Sequence, residues 1–275
     1  MSTSDPLVTV VVPSFNETPR VVRASLESIR NQTLARFECI VVDESTDPEL
    51  ANACQSICAE DPRFIYIHPM ERLGLPNSLN LAISQARSRL IARFDSDDVC
   101  MPERLALQVA FLEEHPEVSV VGGAINIISD NDDVLAHRCY PEDSAKIAKG
   151  MQFTTTMAHP TVMFRKEAIE QYGGYNPEFR FAEDLDLWLR WTNAGLLFAN
   201  LPQVLVHYRQ DITRRNRHHW HYNLRARISN FSLRYAIVRI AGIACIAVWA
   251  TLPRFFQDII FKFLIFHRRN QGVSQ

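Results

Sequence analysis

The run Leu90-Ile91-Ala92-Arg93-Phe94-Asp95-Ser96-Asp97-Asp98 is a short apolar stretch that ends in three carboxylates within four residues. Its apolar part, Leu90 to Phe94, reads as a buried strand. The same kind of run occurs three times upstream, at Leu7 to Val12, Phe37 to Val42 and Phe64 to Ile67. Helical patterns lie between these runs. Pro19 opens one that puts Val22, Leu26 and Ile29 on a single face. Asp47-Pro48 supplies an N-cap and a first-turn proline for the next, and Leu75, Leu79, Ile83 and Ala86 form the stripe of a third. The order βαβαβαβ predicts an α/β fold, a mostly parallel sheet with helices on both faces.

In such sheets ligands bind beyond the carboxyl ends of the strands. Pro13, Ser14, Phe15 and Asn16 follow the first strand, Asp43 and Glu44 the second, Glu71 and Arg72 the third, and Asp95, Asp97 and Asp98 the fourth. Three clustered carboxylates repel one another unless they are solvated or share a cation. Hard ions such as Mg²⁺ and Mn²⁺ take one or two carboxylates together with phosphate oxygens. The alternative is an acidic turn that caps the helix beginning near Pro102-Glu103. Neither GxGxxG nor GxxxxGK[ST] occurs, which argues against dehydrogenases and P-loop NTPases and leaves a metal as the natural partner of phosphate.

A second acidic motif, Glu183-Asp184-Leu185-Asp186-Leu187-Trp188, opens an amphipathic helix whose inner stripe is Leu185, Trp188, Leu189 and Thr192 and which Gly195 ends. Acidic residues favour the helix dipole there, so a structural role competes with that of a general base. His159, before the strand-like run Thr161 to Phe164, leaves the same choice open.

A chain of 275 residues, 47% hydrophobic and 22% charged, suits one large α/β domain with an appendage. The six cysteines show neither a disulfide framework nor zinc spacing, and Met1 to Pro6 lack a signal-peptide pattern. A reducing, cytoplasmic setting is expected. The net charge of −2 conceals an asymmetry. Residues 201–275 carry twelve Lys and Arg against two Asp and Glu, leaving 17 against 29 in the first 200.

Basic residues gather at Arg214, Arg215, Arg217, Arg225, Arg227, Arg234 and Arg239, and a 13-residue apolar run, Ile240 to Leu252, follows. It is too short to cross a bilayer. After Pro253, Phe255, Phe256, Ile259, Ile260, Phe263 and Leu264 recur at helical spacing. We expect residues 211–275 to form amphipathic helices on an anionic membrane surface, at the inner face of the cell membrane. A helical hairpin folded over the first domain, or a contact with a second copy of the chain, is the competing expectation. Nucleic acid is not expected, since the aromatics here sit in apolar runs.

Taken in order, the motifs resemble the family-2 glycosyltransferases of the GT-A fold. The matching pieces are Val10 to Glu17, Val41 to Asp47, Arg93 to Asp98 with Pro102 to Leu105 and Gln108, His159 to Arg165, Gly173-Gly174-Tyr175, and Ala182 to Arg190. The resemblance covers roughly residues 7 to 210, so residues 1–210 are expected to be the GT-A nucleotide-diphospho-sugar transferase domain. It implies an inverting enzyme that takes a sugar from a nucleotide-diphosphate donor, a UDP-sugar, and passes it to a saccharide or lipid-linked saccharide. By the same resemblance Pro13, Phe15, Glu17, Glu44, Arg72, Asp95 and Asp97 hold the donor. Asp97 and Asp98 hold Mn²⁺ or Mg²⁺, and Asp184 is the general base, with His159, Glu183 and Arg190 as accessory residues. One departure stands out: Glu44 replaces the second of two aspartates after the second strand, and Ser45 follows it directly. A nucleotidyltransferase is disfavoured by the first loop, Pro13-Ser14-Phe15-Asn16. A membrane-docked, non-catalytic nucleotide-sugar-binding protein of the same fold is the alternative reading.

Overall fold

The computed structural model describes residues 5–209 and 218–252. The first half alternates as expected: β1 (Val8–Ser14), α1 (Pro19–Arg30), β2 (Phe37–Asp43), α2 (Pro48–Cys58), β3 (Phe64–Ile67), α3 (Leu75–Gln85) and β4 (Leu90–Arg93). There follow β5 (Val99–Cys100), α4 (Arg104–Glu114), β6 (Val118–Ile128), β7 (Val134–Arg138), α5 (Ser144–Gly150), β8 (Met163–Arg165), α6 (Lys166–Tyr172), α7 (Glu183–Asn193), β9 (Leu197–Arg209), α8 (His218–Ser229) and α9 (Ala236–Thr251).

The described strands make one sheet in the order β3-β2-β1-β4-β8-β6-β9-β5, with β7 paired to β6. β3, β2, β1 and β4 are all parallel. β8 then enters antiparallel between β4 and β6, and β6 and β9 run parallel again. Both faces of β1 are covered, which is why its valines form an unbroken run. Val10 and Val12 point into a layer with Leu26, Ile29 and Leu105, and Val11 points to the other side, among Leu79, Ile83 and Leu187.

Two expectations change. Thr161 is not in a strand: His159–Thr161 is a 3-10 turn, and β8 starts at Met163. The Thr161 hydroxyl donates to the Ala158 carbonyl at 2.8 Å, and Gln108 Nε2 donates to the Thr161 carbonyl at 2.8 Å, which closes the turn. The second change concerns the basic tail. Arg214, Arg215, Arg217 and everything after Leu252, including the stripe from Phe255 to Leu264, lie outside the described residues. The described part is a helical pair docked on the sheet domain, and its arginines are spent there. Arg227 is buried and donates to the carbonyls of Met151 and Gln152 at 2.9 and 2.8 Å. Arg239 is buried and donates to the carbonyls of Asn230 and Arg234 and to Asn193 Oδ1. Arg234 donates to the Thr192 carbonyl, and Arg225 pairs with Glu178. The physical reason is supply and demand: each guanidinium has five donors, and the ends of α5, α7 and α8 leave carbonyls to be satisfied. α7 is buried beyond its expected stripe: Leu187 and Trp191 are fully enclosed, with Trp191 edge-on to Phe164 of β8 and to Trp188.

α9 rests on the domain through Gly242, where an added Cβ would overlap the Gln152 carbonyl. Gly242→Leu is therefore expected to lift α9 and cost about 1–3 kcal/mol, as overpacking does. Limited proteolysis between α8 and α9 and a lowered Tm would register it; an unchanged digestion pattern would contradict this docking.

Candidate active site

The loops after β1 and β2 are stitched together by Asn16. Its backbone is left-handed, with φ 54°, a conformation that asparagine tolerates. Its Oδ1 accepts from the N–H groups of Thr46 and Asp47 at 2.9 and 3.3 Å, and its own N–H donates to Ser45 Oγ at 2.8 Å. Beside it Phe15 is partly exposed, and the Arg72 guanidinium lies 3.8 Å over its ring centroid. This cation–π pair forms a flat, polar-edged surface. Pro13 sits at the end of β1 in register with Val42.

Glu44 is committed elsewhere than expected. One carboxylate oxygen accepts the Gly74 N–H at 2.8 Å and the other accepts the Ser78 hydroxyl, so Glu44 fixes the start of α3. Gly74, at φ 79°, makes that start possible. Arg72 Nε lies 4.0 Å from the same carboxylate.

Asp95, Asp97 and Asp98 leave β4 as a tight turn. Each offers one oxygen, and these atoms all lie within 4.8 Å of one another. Asp98 is fully buried; its Oδ1 accepts the Arg209 N–H at 2.8 Å, and its Oδ2 has no hydrogen-bond partner. Burial, then the charges of Asp95 and Glu17, push the Asp97 carboxyl up to about 7. Burial likewise raises Asp98 well above the usual carboxylate range. Converging oxygens, an orphaned buried acceptor and crowded negative charge are what a divalent cation would relieve, so the residues fit one.

Arg209 braces this turn. Its Nε donates to the Asp97 carbonyl at 3.0 Å, Nη1 to the Ser129 carbonyl at 2.7 Å, and Nη2 to Asp132 at 2.5 Å. The end of β9 thus clamps the acidic turn to the turn between β6 and β7.

The second acidic motif starts at Ala182, itself left-handed at φ 60°. Glu183 turns inward and is buried, whereas Asp184 keeps partial exposure. Burial and the neighbouring Asp184 charge push the Glu183 carboxyl up to about 8. Burial also raises Asp184, opposed by the Leu185 N–H, which donates to its Oδ1 at 2.7 Å. His159 lies 3.8 Å from Glu183 and 2.8 Å from the Tyr175 hydroxyl. Burial and the Arg93 charge hold its imidazole well below its ordinary range, so it is neutral and acts as a hydrogen-bonded support. Arg190 is not brought to Asp184 or to the acidic turn after β4. It binds Asp186 at 2.9 Å and the carbonyls of Tyr172, Gly173 and Gly174, and so holds that turn against α7.

What joins the two acidic motifs is Arg93. It is buried and ion-paired with Asp95. Its charge also reaches Asp97, Asp98, Tyr175, Glu183 and Asp184. The sequence placed Asn16 beyond the first strand and Arg93 and Tyr175 within motifs, but gave none of these, nor Arg209, a role of its own. The one available signal was Arg93 itself, a charge inside an apolar strand.

The family model for glycosyl transferase family 2 matches residues 9–173. The O-antigen biosynthesis glycosyltransferase WbnJ of Escherichia coli is 34% identical over 202 residues, which is 72% of this chain and 78% of that protein. A UDP-Gal:alpha-D-GlcNAc-diphosphoundecaprenol beta-1,3-galactosyltransferase of Escherichia coli is 26% identical over 215 residues, 76% of each. Among solved structures, S. aureus TarS 1–349 in complex with UDP-GlcNAc superposes with a TM-score of 0.63 at 19% identity, over 80% of this chain and 65% of that one. That likeness bears on the fold.

Two outcomes follow from the acidic turn. Below about pH 7 Asp97 holds a proton that a cation must displace, so the rise in Tm on adding Mn²⁺ should grow from pH 5.5 to pH 8. In Asp97→Asn that pH dependence should weaken, leaving the part that Asp98 contributes. Arg209→Ala should weaken Mn²⁺ binding on the order of 10–100-fold, as loss of an orienting contact does, measured by titration calorimetry.

Proposed function

The chain belongs to glycosyl transferase family 2 and is a glycosyltransferase, and from that premise we propose that it inverts the sugar of a UDP-sugar as it transfers it to a saccharide or lipid-linked saccharide in polysaccharide assembly. The observation that carries this reading is Arg93, which puts the acidic turn and the partly exposed Asp184 in one electrostatic site at the carboxyl edge of the sheet. The printed names of the relatives, an O-antigen enzyme and one acting on a diphosphoundecaprenol-linked sugar, support the acceptor class. The UDP-GlcNAc in the TarS complex supports the donor class.

In this proposal the base and ribose lie against Pro13 and the Phe15–Arg72 pair, with Glu17 and Asp95 bordering the donor. Glu44 acts through the start of α3, holding the loop that carries Arg72. Asp97 and Asp98 would hold Mn²⁺ or Mg²⁺, which when bound supplies positive charge that makes the nucleoside diphosphate a better leaving group. Asp184 accepts the proton of the acceptor hydroxyl as its oxygen attacks the anomeric carbon. Attack comes from the side opposite the departing diphosphate, so an α-linked donor gives a β-glycoside. Burial raises the Asp184 carboxyl, and the Leu185 N–H, His219 and Arg93 oppose that rise. Glu183, held up at about 8, stays protonated at neutral pH and leaves the negative charge to Asp184.

The site of action is proposed to be a membrane surface. No described helix is long and apolar enough to cross a bilayer. α9 nonetheless turns Ile237, Ile240 and Val248 outward, 85%, 59% and 62% exposed, and Leu233 beside them is 86% exposed. The apolar sequence from Phe255 to Leu264 continues from it. Such a face suits the interfacial zone of the inner leaflet.

The deciding experiment is a nucleotide-sugar panel with and without Mn²⁺. Asp97→Ala should abolish metal-dependent donor binding. Asp184→Asn should bind donor as the wild type does while kcat falls about 10²–10⁴-fold, as expected for loss of a general base. No binding of any nucleotide sugar would sink the reading. For the membrane, the full chain should float with vesicles containing phosphatidylglycerol, and Ile237→Glu with Ile240→Glu should release it; undiminished flotation would rule out this face.

A further inference from the structure

A second chemical grouping lies on the far edge of the β6–β7 hairpin and plays no part in the proposed transfer. β7 is exposed along its whole length, and Cys139 follows its last residue. Residues two apart in extended chain share a face, so His137 and Cys139 stand side by side, with Nε2 3.0 Å from Sγ. On the other side of the ring, His137 Nδ1 lies 3.0 Å from Asn126 Oδ1. Asn126 is the register partner of His137 on β6, so the sheet itself sets this contact.

The tautomer follows from the pairing. An amide oxygen only accepts, so Nδ1 carries the hydrogen and the neutral ring leaves Nε2 bare. The bare nitrogen faces the thiol. Nucleophile, base and orienting amide therefore stand in the sequence that activates a cysteine.

We propose that Cys139 is a nucleophilic surface thiol that forms mixed disulfides with low-molecular-weight disulfides. In the step, the Cys139 sulfur attacks one sulfur of the disulfide while His137 Nε2 accepts the thiol proton. A new S–S bond forms and the old one breaks. The departing sulfur leaves with the bonding pair and takes the proton back from the imidazolium. The incoming disulfide is the only oxidant needed.

The chain supplies its own comparison. Cys39, Cys54, Cys58 and Cys100 are buried. Cys245 on α9 is exposed as Cys139 is, and among the described residues no imidazole is hydrogen-bonded to it. The full chain is incubated with oxidised glutathione at pH 7, and glutathionylation is followed at each cysteine by peptide mass spectrometry. Cys139 should react at least about tenfold faster than Cys245, and His137→Ala should remove that advantage, in keeping with loss of a general base. Asn126→Ala should slow Cys139 without changing Cys245, because the ring loses its fixed tautomer. All three side chains lie at the surface or partly so, and an unchanged Tm confirms that the variants fold. Equal rates at the two cysteines, or a Cys139 rate indifferent to His137→Ala, would overturn the proposal.

Discussion

One buried guanidinium holds the site together. Arg93 sits at the end of an inner parallel strand, where an isolated charge would be expensive, and it is stable there because carboxylates surround it. Asp95 pairs with it directly, and the 183–184 pair approaches from α7. The dependence is mutual. Without Arg93 the acidic turn and the start of α7 would face each other as like charges in a poorly solvated cleft. Removing one member of such a buried pair costs roughly 3–5 kcal/mol. Arg104, also buried, donates to the Arg93 carbonyl and keeps the end of β4 in place.

Arginine does a different task in the C-terminal pair of helices. Counted as charge, residues 201–275 look made for an anionic surface. Located in the structure, Arg209, Arg227 and Arg234 are donors to backbone carbonyls of the domain, and Arg239 is a donor to the carbonyls of Asn230 and Arg234 within the helical pair and to Asn193 Oδ1 of α7. What α9 leaves for an outside partner is apolar rather than basic among the described residues. Among the described residues the proposed docking therefore rests on the exposed stripe of Ile237, Ile240 and Val248.

Two of the four left-handed non-glycine residues among the described ones lie where the donor and the acceptor are proposed to meet; the other two, Asp132 and Tyr235, lie in the β6–β7 turn and before α9. Asn16 and Ala182 are both left-handed, one before the loop that carries Glu17 and the other before Glu183. Asparagine is at ease there; alanine is not, and its strain of order 1–3 kcal/mol is held by the packing of α7. Glu44, the departure from the family's pattern, is explained by reach. Its longer side chain caps the start of α3 through Gly74 and Ser78.

By itself the sequence determined the parallel half of the sheet, its helices and the two acidic motifs. Those follow from periodicity and from side chains that must be buried or solvated, which are local properties. Asp95, Asp97, Asp98 and Asp184 were legible for the same reason, because clustered carboxylates are conspicuous in an apolar context. The roles of Arg93, Arg209, Asn16 and Tyr175 were not, and neither was the commitment of Glu44 and Arg190 elsewhere. The partners of Asn16, Glu44 and Arg209 lie about 30 to more than 100 residues away, and Arg93, paired locally with Asp95, also serves a second acidic motif far along the chain; Tyr175 meets His159 and Arg190 meets its partners within about twenty residues but across turns. Only the tertiary structure decided these, because the pairing of a hydrogen-bond donor is set by which groups folding leaves unsatisfied beside it.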